Sequence, residues 1–332
     1  MTSFTLADVR ERTYKKRDAW WTVFLVDPLA ARLVVWTANR TAITPNQITF
    51  GAGVLGLGSA VCFALATWPW LVAGAVLFHL SFVLDCMDGK IARLKHNGSV
   101  FGAWVDFVFD RIRFFGCMLA LLIGQWARTG EAVYLILAPV VTFVDLLRYL
   151  NGSQVAKTRQ SMREKLRAAA QGKSVDAGVD DPESTEAPEG AAPADSGETA
   201  PVVFMEEVLR DNPDIGADQV RSGAHPAGAR VIDVHKGFSS RFGRYERVRA
   251  FLLRSRVRPH LFSGIEFEMF VCVLAPLTAL VALVSSLPSL IVPVLVLSCA
   301  ALLLFEVVIV YKLWLATRDF GRELERLQAS RE

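Results

Sequence analysis

Four carboxylates lie close together in the first third of the 332-residue chain, in a stretch that is otherwise largely apolar. Asp85 and Asp88 are three positions apart, and Asp106 and Asp110 are four positions apart. Because residues three or four apart share one face of an α-helix, each pair predicts one acidic helix face. The polar segment 95–99 can fold the second helix back onto the first, which would bring the two pairs together.

Clustered carboxylates repel one another strongly in a site of low dielectric unless cations neutralise them. Their oxygen ligands suit the hard cations Mg²⁺, Mn²⁺ or Ca²⁺ better than zinc. The alternative is that the acids cap helices or pair with basic neighbours. That alternative accounts for one or two of the acids, but not for all four together with the glycines spaced around them.

The helices that carry these acids are predicted to cross a membrane. Hydrophobic residues make up 52% of the chain, and several apolar runs of about 20 residues are long enough to span a bilayer. The net charge of +3 is small and no base-reading motif is present, which excludes nucleic acid as a partner. All five cysteines fall in apolar runs, so we expect buried thiols rather than disulfides or a zinc site.

The apolar runs predict an all-α polytopic membrane protein with six transmembrane helices, at about 46–66, 70–94, 99–127, 131–150, 262–286 and 289–316. Residues 19–40 mix aromatic and charged side chains, which predicts an N-terminal amphipathic helix at the membrane interface. In that interpretation Trp20, Trp21 and Trp36 lie at headgroup depth. A short soluble helix packed on the rest is the alternative.

Lysine and arginine collect on one side of the predicted spans, so the positive-inside rule places both termini and the acids in the cytoplasm. Five segments follow: a cytoplasmic arm with the interfacial helix (1–43), catalytic transmembrane helices 1–4 (44–151), a partly disordered cytoplasmic insertion (152–260), transmembrane helices 5 and 6 (261–316) and a cytoplasmic tail (317–332).

The insertion contains three distinct stretches. Residues 171–200 are rich in small, polar and acidic residues and cannot bury a core. Residues 202–211 predict a short amphipathic helix. Residues 235–258 carry seven arginines, which indicates either a basic helix on anionic lipid or a solvated face.

The acidic stretch resembles the signature of the CDP-alcohol phosphotransferase family. The positions that match in residue type and spacing are Asp85, Asp88, Gly89, Ala92, Arg93, Gly102, Asp106 and Asp110. The motif and its flanking spans cover about residues 44–150, whereas the last two spans agree in hydropathy alone. The resemblance implies an integral enzyme of a bacterial-type cell membrane, with a cytoplasmic active site and a homodimeric state.

The resemblance also implies a reaction and the roles of the acids. A substituted phosphate group would pass from a CDP-alcohol to an acceptor hydroxyl, with release of CMP, in phospholipid or phospho-polyol biosynthesis. Two divalent cations, Mg²⁺ or Mn²⁺, would be bridged by Asp85 and Asp106. Asp88 would complete the coordination of the first cation, and Asp110 would contact the second. Asp110 also matches the general base of the family.

A further set of residues matches nucleotide-contacting positions of the family. Gly89 lacks a side chain, so a nucleotide can approach the helix there, and Arg93 offers a fork of donors to a pyrophosphate. Helix capping explains the residues before the first span nearly as well, and Arg93 alone could be an interfacial side chain. The full set is Thr44, Pro45, Asn46, Gln47, Gly89, Arg93, Ser99 and Gly102.

The candidate acceptor residues are Arg148, near the end of the fourth span, and Glu266, at the start of the fifth. Family members that use a phosphorylated polyol have a basic residue after an Ile-Glu pair in this region. Here Phe267 stands in that place, which disfavours such an acceptor unless Arg258 or His260, just upstream, takes over the role.

The donor could be CDP-diacylglycerol, which gives a phospholipid, or CDP linked to a small polar alcohol, with a lipid or polyol as acceptor. The N-terminal arm and the motif resemble the second group, as in di-inositol-phosphate synthases. A hypothesis of another class is a non-catalytic, cation-binding transporter or scaffold. No internal repeat is evident and the acids lie near helix ends rather than at the midplane, so the enzyme is favoured.

Overall fold

A computed structural model of the chain describes residues 4–95, 98–170, 202–205, 208, 220, 230–232, 251–252, 254–258, 261–284 and 289–329. Most of these residues are helical. The helices up to the insertion are α1 (Leu6–Thr13), a π-helical stretch (Thr22–Val26), α2 (Asp27–Arg40), α3 (Pro45–Leu65), α4 (Trp68–Leu94), α5 (Val100–Thr129) and α6 (Val133–Ala170). Those after it are α7 (Gly264–Met269), a second π-helical stretch (Phe270–Leu274), α8 (Ala275–Leu277), α9 (Ala279–Val284) and α10 (Ile291–Ala329).

Local capping fixes where the two helices that frame the site begin. At the start of α3, Thr44 Oγ1 accepts a hydrogen bond from Gln47 N–H, and Gln47 Oε1 accepts one from Thr44 N–H. Pro45 follows at the first helical position, where its missing N–H costs nothing. At the start of α5, the Ser99 hydroxyl accepts from Gly102 N–H at 2.9 Å. These polar residues therefore position the helix starts, whatever else they bind.

Five helical segments are long and apolar enough to cross a membrane: Pro45–Leu65, Trp68–Leu94, Val133–Ala170, Gly264–Val281 and Ile291–Ala329. The prediction of an all-α polytopic membrane protein is confirmed. Helix α5 is long enough to cross a membrane but less apolar than these five segments, since four charged side chains interrupt its first half. A sixth span therefore stays a prediction. Two helices also run well past their predicted spans, as far as Ala170 and Ala329.

One compact unit contains residues 1–148 and 256–305. Helix α5 packs closely on α3 at Gly124, where there is no room for a side chain. A Cβ added at this glycine would lie 2.6 Å from the carbonyl oxygen of Phe63. Phe78, Phe114 and Phe267 are among the large side chains buried in its core. The five cysteines are all free, as the sequence predicts.

In the N-terminal arm, residues 6–13 form α1. A capping box between Thr5 and Asp8 starts this helix, and Val9 is fully buried against α4. The Trp21 ring is buried in the core, where its Nε1–H donates to His79 Nδ1 at 3.4 Å, and its position at headgroup depth stays a prediction. Trp36 is 52% exposed, and the interfacial location of α2 stays a prediction.

The second compact unit contains residues 149–255 and 306–332. Leu166 of α6, Leu324 of α10 and Phe204 pack in its core. The helix predicted over 202–211 is wrong at Val202–Phe204, which forms β1 and pairs in parallel with β2 (Arg230–Ile232). Two successive valines and a phenylalanine favour the extended chain. The predictions for 171–200, for most of 206–211 and for 235–250 lie outside the described residues, and the five predicted segment boundaries stay predictions.

Candidate active site

Three of the four predicted acids converge where α4 ends and α5 begins. Asp85, Asp88 and Asp106 each offer a carboxylate oxygen, and these atoms lie within 4.8 Å of one another. Asp88 is 5% exposed. One oxygen of Asp106 is buried and has no hydrogen-bond partner. The helical spacing of the acids and the packing of both α4 and α5 on α3 together produce this group.

These acids fit a hard divalent cation. Carboxylate oxygens from two helices are the donors that Mg²⁺ and Mn²⁺ prefer. A buried oxygen without a partner, such as that of Asp106, is costly unless a cation or donor satisfies it. The donor set contains neither the thiolate nor the imidazole ligands that zinc usually takes.

The fourth acid, Asp110, pairs with an arginine that sequence reasoning missed. Arg113 lies one turn further along α5, and its Nη2 forms an ion pair with Asp110. Its Nη1 donates to Asp85 Oδ1 at 3.1 Å, so one guanidinium joins the two acidic helices. The spacing of three positions between Asp110 and Arg113 was the available signal.

The stem of Arg113 is held in a notch that a glycine provides. A Cβ added at Gly56 of α3 would lie 2.8 Å from both Cγ and Cδ of Arg113. The arginine side chain is only 8% exposed. Its head and its stem are therefore both fixed, the first by two carboxylates and the second by helix packing.

A hydrogen bond links the acids to the start of α3. The Thr49 hydroxyl donates to Asp88 Oδ2 and also lies 3.2 Å from the carbonyl oxygen of Pro45. Since Thr49 lies two positions after the Thr44–Gln47 turn, this contact holds the candidate nucleotide-binding turn close to the acidic group. The sequence contained no specific signal for it.

The candidate nucleotide residues surround this region at the ends of α3, α4 and α5. Thr44, Asn46 and Gln47 are exposed before and within the first turn of α3. A Cβ added at Gly89 would lie 3.9 Å from both terminal nitrogens of Arg93, so the exposed guanidinium covers the glycine. Nucleotide binding by these residues, and by Pro45, Ser99 and Gly102, stays a prediction.

A second charged cluster lies beside the acids. Arg111 Nη1 is 3.3 Å from both oxygens of Asp145, and its Nη2 is 2.5 Å from Glu268 Oε1. Glu268 is almost fully buried, with 2% exposure. Ionisable groups in membrane helices usually pair or face a polar cavity, which was the signal for this network.

The two candidate acceptor residues have other contacts. The guanidinium of Arg148 lies over the ring of Phe305, 5.5 Å from its centroid. Glu266 is fully buried. Its Oε2 accepts from both N–H and O–H of Ser263, and its Oε1 accepts from Trp20 N–H at 3.2 Å. Their roles toward an acceptor stay predictions.

Comparison with known proteins shows that part of the chain is similar to a known family. The model of the CDP-alcohol phosphatidyltransferase family matches residues 42–175. A bifunctional IPC transferase and DIPP synthase of Thermococcus kodakarensis is 35% identical over 121 residues, which cover 36% of this chain and 25% of that protein. A phosphatidylinositol phosphate synthase of Corynebacterium glutamicum is 34% identical over 88 residues, 26% of this chain and 37% of that protein.

An archaeal relative agrees over a similar region. The archaetidylinositol phosphate synthase of Methanothermobacter thermautotrophicus is 27% identical over 85 residues, 26% of this chain and 42% of that protein. The chain thus spans less than half the length of these curated relatives. The family match includes both acidic helices and the turn before α3, so residues 42–175 of the chain are similar to the CDP-alcohol phosphatidyltransferase family.

Proposed function

We propose that this chain is a metal-dependent CDP-alcohol phosphotransferase, which transfers a substituted phosphate group from a CDP-alcohol to an acceptor hydroxyl and releases CMP. The observation that carries the proposal is the convergence of Asp85, Asp88 and Asp106 within 4.8 Å across two helices. That convergence lies inside the segment that matches the family.

Asp85, Asp88, Asp106 and Asp110 would hold two divalent cations, Mg²⁺ or Mn²⁺. Such cations, when bound, neutralise phosphate oxygens and stabilise the leaving group. Asp110 is the proposed general base: the acceptor oxygen bonds to phosphorus, the bond to CMP breaks, and the hydroxyl proton passes to this carboxylate. Asp110 must then loosen its ion pair with Arg113, whose guanidinium also binds Asp85.

The nucleotide would bind at the ends of α3 and α4. Gly89 permits close approach to the helix, and the Arg93 guanidinium above it is exposed and free to turn toward the pyrophosphate. Thr49 holds the Thr44–Gln47 turn near Asp88, which supports a role for that turn beside the cytidine.

The donor is either CDP-diacylglycerol or CDP linked to a polar alcohol, and the acceptor is a lipid or a polyol. Two relatives are named for the synthesis of phosphatidylinositol phosphate and archaetidylinositol phosphate. Their names support a phosphorylated polyol as the first acceptor to test, although Phe267 stands where family members that use such an acceptor have a basic residue.

We further propose that the acids and both termini face the cytoplasm and that the protein is a homodimer. The distribution of lysine and arginine supports the orientation. The outer face of α3, where Phe50, Val54, Leu57 and Val61 are exposed at helical spacing, provides an apolar surface for lipid or for a second copy.

The test is CMP release by the purified protein with Mg²⁺ or Mn²⁺, a panel of CDP-alcohols and varied acceptors. Asp110→Asn should abolish turnover and leave nucleotide binding largely intact, whereas Glu131→Gln, at the other end of α5, should leave both unchanged. Near-normal turnover by Asp110→Asn would disprove its role as base. Metal binding without CMP release from any CDP-alcohol would favour the transporter or scaffold hypothesis.

A further inference from the structure

An open cavity of about 710 Å³ lies between α1, the first π-helical stretch and the segment around Arg256. We call it the arm cavity. Its charged lining residues are Arg10, Lys15, Lys16 and Arg256, opposed by Glu11 and Asp27. Asp27 is already neutralised, because its oxygens lie 3.0 Å from Lys90 Nζ and 3.3 Å from Arg256 Nη2. The lining therefore has excess positive charge and suits an anion.

Arg256 is held in place by several independent contacts. Its backbone has a φ of 59°, in the left-handed region, and its carbonyl oxygen accepts from Asp18 N–H at 2.9 Å. Its Nη2 donates to the carbonyl oxygen of Lys15 at 3.0 Å, and its guanidinium lies 4.3 Å from the centroid of the Tyr14 ring. A cation fixed in this way loses little entropy on binding a ligand.

The arm cavity borders α4, the helix that carries Asp85 and Asp88. Lys90, which pairs with Asp27 in the cavity wall and lies 5.8 Å from the Tyr14 ring centroid, follows Asp88 by two positions on α4. Lys15 of the cavity is close enough to Asp106 for their charges to attract. A ligand whose anionic group occupies the cavity could therefore extend toward the carboxylates.

We propose that the arm cavity binds the phosphate group of a phosphorylated polyol acceptor. This inference rests on the proposed function. It accounts for the absence of a basic residue after Glu266, because Arg256 and the lysines of the arm supply the cations from another direction. The cavity would recognise a phosphate group. Such a group could also come from the headgroup of an anionic phospholipid, so the test distinguishes the two sources.

The test compares two variants that each lose three exposed cations. The cavity variant is Arg10→Gln/Lys15→Gln/Lys16→Gln, and the control variant is Arg12→Gln/Arg32→Gln/Lys157→Gln, outside the cavity. Arg256 is left intact because its contacts fix the backbone. Calorimetry measures binding of inositol 1-phosphate and of unphosphorylated inositol to each protein in nanodiscs of neutral phosphatidylcholine, without a CDP-alcohol.

The cavity variant should bind inositol 1-phosphate about tenfold more weakly or worse, as expected for the loss of charge-assisted hydrogen bonds. The control variant should match the wild type, and inositol should not distinguish the three proteins. In turnover assays the KM for the phosphorylated acceptor should rise by the same factor, while the KM for the CDP-alcohol stays unchanged.

Equal losses in the two variants would overturn the proposal. So would weaker binding of phosphatidylglycerol by the cavity variant together with unchanged binding of inositol 1-phosphate, because the cavity would then serve a lipid headgroup. Binding is measured without turnover, so the two proposals fail separately. Phosphate bound in the cavity without CMP release from any CDP-alcohol would overturn the phosphotransferase, whereas CMP release with an unchanged KM in the cavity variant would overturn the cavity alone.

Discussion

The Nη1 of Arg113 lies 3.1 Å from Oδ1 of Asp85, across the contact between the two acidic helices. The same guanidinium pairs with Asp110, so an internal cation neutralises part of the acidic group. A cation that enters the site must compete with this arginine for the two carboxylates. Arg113 therefore links the stability of the protein to the binding of metal.

Replacement of Arg113 by glutamine should destabilise the metal-free protein by about 3–5 kcal/mol, because it leaves buried carboxylates without their cation. Mn²⁺ should restore part of the loss by neutralising the same groups. Thermal unfolding in detergent, with EDTA and then with Mn²⁺, measures both effects. Arg128→Gln is the control, since this arginine, at the far end of α5, donates to the neutral carbonyl of Ala66. An equal shift in the two variants would contradict the assigned role.

Two glycines of α3 form a matched pair. Gly56→Ala should displace Arg113 and cost about 1–3 kcal/mol, because the new methyl group overlaps the middle of a side chain held at its end. Gly53→Ala meets nothing within 4 Å and should stabilise the helix by up to about 1 kcal/mol. Unfolding midpoints and rates of CMP release are compared between the two variants. Equal values would contradict the role of Gly56 in holding the Arg113 side chain.

Asp106→Asn should weaken Mn²⁺ binding by about tenfold or more, because it removes one anionic ligand of a hard cation while keeping the shape of the side chain. Titration of Mn²⁺ followed by electron paramagnetic resonance measures the affinity directly. EDTA should stop CMP release by the wild type, and added Mg²⁺ should restore it. Unchanged Mn²⁺ affinity in Asp106→Asn, with Glu131→Gln as reference, would remove this residue from the metal site.

Glu266→Ala separates a capping role from an acceptor role. The carboxylate accepts from Ser263 and from Trp20 N–H, so its removal should lower stability by about 1–3 kcal/mol. If capping is its function, the KM for the acceptor should stay unchanged in the folded variant. A large rise in that KM with unchanged stability would instead support the acceptor role that the sequence suggested.

The sequence alone predicted the features that depend on neighbours in the chain. The spacing of Asp85 to Asp88 and of Asp106 to Asp110 follows helical geometry, and apolar runs of sufficient length identify membrane helices. The Thr44–Gln47 turn was equally predictable as a cap. At Val202–Phe204 the predicted helix was wrong, because these residues favour the extended chain and pair with a distant strand.

Tertiary structure decided which charges meet. Arg113 with Asp85, Thr49 with Asp88, and Arg256 with Asp27 join residues on different elements, and no periodicity in the chain encodes such pairs. Burial in a medium of low dielectric makes each unpaired charge costly, so the packing of α3, α4 and α5 selects partners that satisfy one another. The sequence thus determined which acidic residues can do the chemistry. The fold determined which basic side chains pair with these acids before any metal binds.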